Sequence, residues 1–295
     1  QMKPPATPRP LSPDEIAEAC RAACRAELAA LKPGNVHTHA GGHGMDIAHF
    51  EAAAMAAAPF IAAQELRLGA RVLGAVEASM DAAGCNTNLG IILLSTPLAI
   101  AAGIDRRASL RERVAEVLAG VDARDAEDVF AAIRRANPGG LGRSDEADVA
   151  TAPTLPLIDA MRLAASRDRI AAAYANDFRD LFEDHLRVLA EARAAVAATP
   201  GASDDAAVAT LHMSLLARFI DSHIRRKHGY ETAAHVLALA RAARPFWHPC
   251  VTPASHGELL RLDRLLKSSG WNPGTTADFV VATLLAADLE QRARY

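Results

Sequence analysis

Apolar residues recur at helical spacing along almost the whole of this chain, and no stretch alternates apolar with polar residues, rich in β-branched types, as a strand would. That pattern predicts an all-α fold. The first helix opens on Ser12-Pro13-Asp14-Glu15, where Ser12 suits the cap, Pro13 the first helical position and Glu15 a capping box, and it ends near Lys32-Pro33-Gly34. Further helices are expected over 47–66, 70–82, 89–102, 110–118, 126–136, 155–164, 167–198, 204–226, 232–243, 257–267 and 275–292. Gly- or Pro-rich breaks at 40–44, 137–143, 199–203 and 244–255 read as loops, the second as either a mobile lid or a plain connector. At 295 residues, length alone favours about two units of roughly 150 residues. No Ser/Gly/Pro-rich linker divides the chain and no fixed-period repeat marks a solenoid, so one multi-helix domain over 12–292, preceded by a flexible 1–11 segment, is expected.

Hydrophobic residues make up 51% of the chain and charged residues 23%, which describes an ordinary globular protein; aromatics at 4% leave a core of Ala, Leu, Val and Ile. A net charge of −3 supplies no field to hold nucleic acid or an anionic membrane. The most apolar run, Ile91 to Ala102, contains Pro97 and is too short to cross about 30 Å of hydrocarbon. With no apolar signal region near the start, a cytoplasmic protein is the expectation. Cys20 and Cys24 are spaced for one helical face and read as small core residues, while Cys85, beside Asn86, either packs beneath a loop or lies near a ligand.

Four polar islands interrupt this Ala/Leu-rich background: Lys32-Pro33-Gly34-Asn35-Val36-His37, Asn86-Thr87-Asn88-Leu89-Gly90, Asp221 to Lys227, and Asn272-Pro273-Gly274 through Asp278. Each joins a backbone breaker or helix boundary to amide, carboxylate or cationic groups, the composition expected where helix ends meet a charged ligand. His37, His39 and His43 read as ligand hydrogen bonders, solvated loop residues or transition-metal ligands. Asp46 is either a helix cap or a site carboxylate, and Glu77 and Asp278 are either exposed charges or site groups. Carboxylates from separate helices, together with an Asn and a basic cluster, would suit Mg²⁺ bound to a polyphosphate. Arg225, Arg226 and Lys227 complement a helix C-terminus or grip phosphate. The chain lacks a P-loop, a dinucleotide-binding glycine fingerprint, a nucleophile elbow and an H-E-x-x-H pair, which removes the ordinary kinase and dehydrogenase readings.

Taken in order, Lys32-Pro33-Gly34, the loop with His43 and Met45-Asp46, the Gly84 to Gly90 segment with Asn86-Thr87, Asp221-Ser222 followed by basic residues and Gly229, and Asn272-Pro273-Gly274 with Ala277-Asp278 resemble the triphosphoribosyl-dephospho-CoA synthase family. Its members are all-α enzymes that make the prosthetic-group precursor of citrate lyase and malonate decarboxylase. The resemblance implies a Mg²⁺-dependent transferase that moves the 5-triphosphoribosyl unit of ATP to a hydroxyl of dephospho-CoA and releases adenine. It also implies roles: Asp46, Glu77, Asp221 and Asp278 as carboxylates for Mg²⁺, with Glu77, Asp221 and Asp278 serving catalysis. Lys32, Arg225, Arg226 and Lys227 would meet phosphates, and Asn35, His43, Asn86, Thr87 and Asn272 would orient the nucleotide. Asn88 and Leu89 stand where the family segment usually continues His-Lys. Two rival readings of the same residues are a metal-dependent hydrolase of phosphoester or N-glycosidic bonds and a noncatalytic nucleotide-binding protein. Small-molecule partners and a homodimer are expected.

Overall fold

Ser12 accepts the Glu15 N–H and the Glu15 carboxylate returns the bond to the Ser12 N–H, so the expected capping box starts the first helix, α1 (Pro13–Ala29). The computed structural model describes residues 9–39, 41, 47–86, 88–105, 107–136 and 155–294, and among them no strand occurs. After α1 come α2 (Ile47–Ala62), α3 (Leu68–Ala83), α4 (Leu89–Ala102), α5 (Leu110–Ala119), α6 (Ala123–Ala136), α7 (Leu157–Ala164) and α8 (Arg169–Ala175). A π-helical turn, Leu181–His185, runs directly into α9 (Leu186–Ala197). The remaining helices are α10 (Asp204–Leu216), α11 (Ser222–His228), α12 (Tyr230–Ala242), α13 (Arg244–Trp247), α14 (His256–Ser268) and α15 (Gly274–Arg292).

Helix α4 is apolar on every side and is buried nearly throughout, as an all-round hydrophobic helix must be. Helix α15, buried over most of its length, packs against α1, α4, α10 and α11 and so forms the second central rod. One contiguous buried cluster, running from Leu11 to Ala293, joins all of these elements. Among the described residues no helix is long and apolar enough to cross a membrane.

Four expectations need correction. The helix expected over 167–198 is broken, because Asp177 and Phe178 take left-handed conformations at φ 55° and 57° that let the Phe178 ring reach the core. The helix expected over 204–226 ends at Leu216, and Asp221 restarts the chain as a cap rather than lying inside a helix. The flexible 1–11 segment is also too long: the Arg9 N–H donates to the Ala293 carbonyl at 3.1 Å, and Leu11 is buried with its N–H bonded to Ala102. The expected loop over 244–255 carries the one-turn α13, and the 137–143 loop lies outside the described residues.

Candidate active site

Gly34 turns the chain after α1 at φ +85°, a conformation that glycine adopts without a steric cost. A side chain there would also lie 2.8 Å from Pro273 and 2.9 Å from the Trp271 carbonyl, so the turn is pressed against the start of α15. Asn35 Nδ2 donates to Asn272 Oδ1 at 2.8 Å, which ties the first polar island to the last. Asp263, on α14, accepts the Gly34 N–H at 2.9 Å, and its carboxylate meets Lys267 at 3.0 Å and His37 Nε2 at 3.2 Å. Burial alone would raise the Asp263 pKa, yet the His37, Lys267 and Gly34 bonds bring it below the usual carboxylate value. Burial lowers His37.

Lys32 is fully buried. Its ammonium is shared among Glu27, Asn35 Oδ1 at 3.1 Å and the Val36 carbonyl at 2.8 Å, so its three protons are already engaged within the protein. Burial pushes Lys32 down and Glu27 up while their attraction opposes both shifts.

Asp221 joins the third island to the fourth. Its Oδ1 caps α11 by accepting the Ile224 N–H at 3.0 Å, and its Oδ2 accepts the Thr276 N–H and hydroxyl, each at 2.8 Å. The second island arrives through Gly90, where even a methyl group would overlap the Asp278 carboxylate and come 3.0 Å from Ile170. Asp278 keeps partial solvent contact although protein surrounds it. Burial raises its pKa well above 3.8, and the negative charges of Asp221 and Glu27 add to the effect. Asp221 is raised by burial too, against the pull of its hydrogen bonds. All four islands therefore meet along the start of α15 and the turn before it, between Trp271 and Asp278.

The other expected site residues are placed less centrally. Asn86 Oδ1 accepts the Leu89 N–H at 3.3 Å and so helps cap α4. Arg225 donates to the Ser166 carbonyl at 2.8 Å and lies 5.5 Å over the Tyr230 ring; Arg226 is 3.7 Å from Asp168; Lys227 is exposed. Glu77 is exposed on α3, and no described contact joins it to Asp221 or Asp278. His43, Asp46 and Thr87 lie outside the described residues. Among the described residues no three His, Cys, Asp or Glu side chains approach closely enough to enclose a metal ion. Sequence reasoning missed Glu27, Thr276, Asp263 and Lys267. The first had a signal: Glu27 shares the buried face of α1 with Cys20 and Cys24. Asp263 and Lys267 stand at i,i+4 spacing on α14, the same spacing as an ordinary surface pair, and so carried no distinguishing signal.

The chain and its fold have counterparts among known proteins. Over residues 13–295 the sequence matches the family described as ATP:dephospho-CoA triphosphoribosyl transferase. A crystal structure from Archaeoglobus fulgidus, bearing the name triphosphoribosyl-dephospho-CoA synthase, is similar at 27% identity and a TM-score of 0.61, covering 82% of this chain and 97% of that one. Among curated proteins none matches the sequence. The match across nearly the full length places this all-α chain in the ATP:dephospho-CoA triphosphoribosyl transferase family, as a transferase.

Proposed function

We propose that this chain transfers the 5-triphosphoribosyl group of ATP to a hydroxyl of 3′-dephospho-CoA, with Asp278 as the base. The supporting observation is the Asp278 carboxylate itself: its pKa is raised, it has partial solvent contact, and it rests against a position that only glycine fits. Asp221, by contrast, has both oxygens engaged by α11 and Thr276, which suits a positioning role. In the reaction the acceptor oxygen attacks C1′ of the ATP ribose and its proton passes to Asp278. The C1′–N9 bond breaks with its electron pair leaving on adenine, which takes up a proton. The sugar passes through an oxocarbenium-like state, and the neighbouring carboxylates Asp221 and Asp278 favour that positive charge.

The two carboxylates are hard oxygen donors, and the Asp221 charge adds to the rise of Asp278, so a divalent cation bound beside Asp278 would relieve that repulsion. Mg²⁺ typically takes one or two protein carboxylates along with substrate phosphates, which fits this donor set. When bound, Mg²⁺ would neutralise triphosphate charge. Nucleotide contacts fall to Asn35 and Asn272, whose side chains already meet, and to the basic end of α11, with Lys227 exposed there.

Chromatography of protein, ATP and Mg²⁺ with and without dephospho-CoA tests the reading. Acceptor-dependent adenine release is expected. Release that proceeds equally without acceptor would make the protein a hydrolase, and no release with any acceptor would refute transfer. Asp278→Asn should lower kcat by about 10²–10⁴-fold, the usual range for loss of a general base.

A further inference from the structure

We propose that Arg169 is a phosphate-binding residue of this site, its guanidinium held between aromatic rings for a nucleotide anion that the free protein does not supply. The inference rests on reading the site as a nucleotide site. Arg169 stands at its edge: its N–H donates to Ser222 Oγ at 2.8 Å, immediately after Asp221, and the next residue, Ile170, reaches Gly90. Its guanidinium carbon lies 3.4 Å from the centre of the Phe219 ring and 4.8 Å from that of Phe279, the residue after Asp278.

A guanidinium so largely buried normally finds a carboxylate at hydrogen-bonding distance. Arg169 does not: the nearest described carboxylate oxygen, on Asp180, is 3.9 Å away, and the close polar contact is His185 Nε2 at 3.4 Å. Burial brings Arg169 down to about 10 and, with the Arg169 charge, His185 to about 3, so the imidazole is neutral and can accept from the cation without neutralising it. The neighbouring cations differ. Lys32 and Lys267 are paired with Glu27 and Asp263, while Arg225 is bonded to a carbonyl.

The backbone departs from regular helix to make this arrangement. Asp177 and Phe178 adopt positive φ, and the π-turn Leu181–His185 then sets the His185 ring edge-on to Phe279 at 5.3 Å and beside Arg169. π-Helical turns and left-handed non-glycine residues are costly local features that concentrate at functional sites. Arg forks hold phosphate through two oxygens, which gives the held guanidinium its ligand class: the triphosphate of the donor or the pyrophosphate of the acceptor.

Calorimetric titration with inorganic tripolyphosphate and with pyrophosphate, in the presence of Mg²⁺, tests the assignment. Arg169→Met keeps an unbranched apolar stem but removes the guanidinium that lies over the rings, and should weaken binding by about 10- to 100-fold, the scale of a lost charged hydrogen-bonding group. Loss confined to tripolyphosphate assigns Arg169 to the donor, and loss confined to pyrophosphate to the acceptor; the KM of ATP or of dephospho-CoA should rise accordingly. Equal binding of both anions by wild type and a folded Arg169→Met, or no binding of either by wild type, overturns the proposal. Should Arg169→Met fail to fold, Arg169→Lys decides: it keeps the charge but loses the fork, and unchanged binding overturns the proposal as well. Anion binding is read without turnover, so Arg169-dependent binding in a protein that releases no adenine would keep this inference and remove the transferase reading.

Discussion

The Asp278 carboxyl links chemistry to stability through one number's direction. Its folded pKa stands above the ordinary 3.8, so the native state retains a proton over a pH window in which the unfolded chain has released it. The corresponding stabilisation is complete below the unfolded value and is lost as pH rises through the folded one. Asp278→Asn removes a buried charge but keeps the shape. We expect it to melt higher than wild type at pH 8, with the difference closing toward pH 4, while losing activity as above; a lower melting temperature at pH 8 would contradict the shift. Gly90→Ala probes the same carboxylate from the other side. The added methyl displaces it, so kcat should fall by about 10- to 100-fold while circular dichroism stays helical, since small misplacements of reacting groups are costly. Wild-type kcat in Gly90→Ala would show that the carboxylate moves aside without cost.

At the scale of elements, helices announced themselves wherever the apolar period was long and a cap was present. Ser12 to Glu15 predicted the start of α1 by residue, and the continuous apolar run predicted α4 from end to end. The breaks at 176–180 and 217–221 were not legible, because both interrupt residues whose composition suits a helix and are imposed by tertiary packing, in the first case by burial of Phe178. The islands predicted which segments meet, since glycine, proline and amides mark where the backbone must turn. They did not reveal that Lys32 points inward, because its partner Glu27 sits a turn earlier on a helix face that reads as core. The strained turn makes its own prediction. Asp177→Gly keeps the φ 55° conformation without steric cost and should be neutral or stabilising by up to about 1 kcal/mol in chemical denaturation. A loss above that size would mean that the Asp177 side chain, rather than its backbone, serves the turn.

For the whole molecule, the buried histidines steepen the acid limb of stability. Burial takes both His185 and His212 to about 3 from an ordinary 6.5. Between those values the unfolded chain binds the extra proton, so stability present above pH 6.5 is lost as pH falls toward 3, at up to ~1.4 kcal/mol per pH unit for each histidine. Thermal melts from pH 7 down to pH 4 should show a steep decline that flattens in His212→Gln; an unchanged slope would mean that His212 becomes protonated without unfolding. The closure of the site spans the chain as well. Gly34 bonds to a residue 229 positions later and Asn35 to one 237 positions later. On a ribosome, where residues emerge in order, the Lys32 turn must wait until nearly the last helix is made before its partners exist. A nascent or prematurely terminated chain thus lacks both these links and the central rod α15, so that the polar islands can come together only late in synthesis, once translation has passed Asn272 and the helix that follows it.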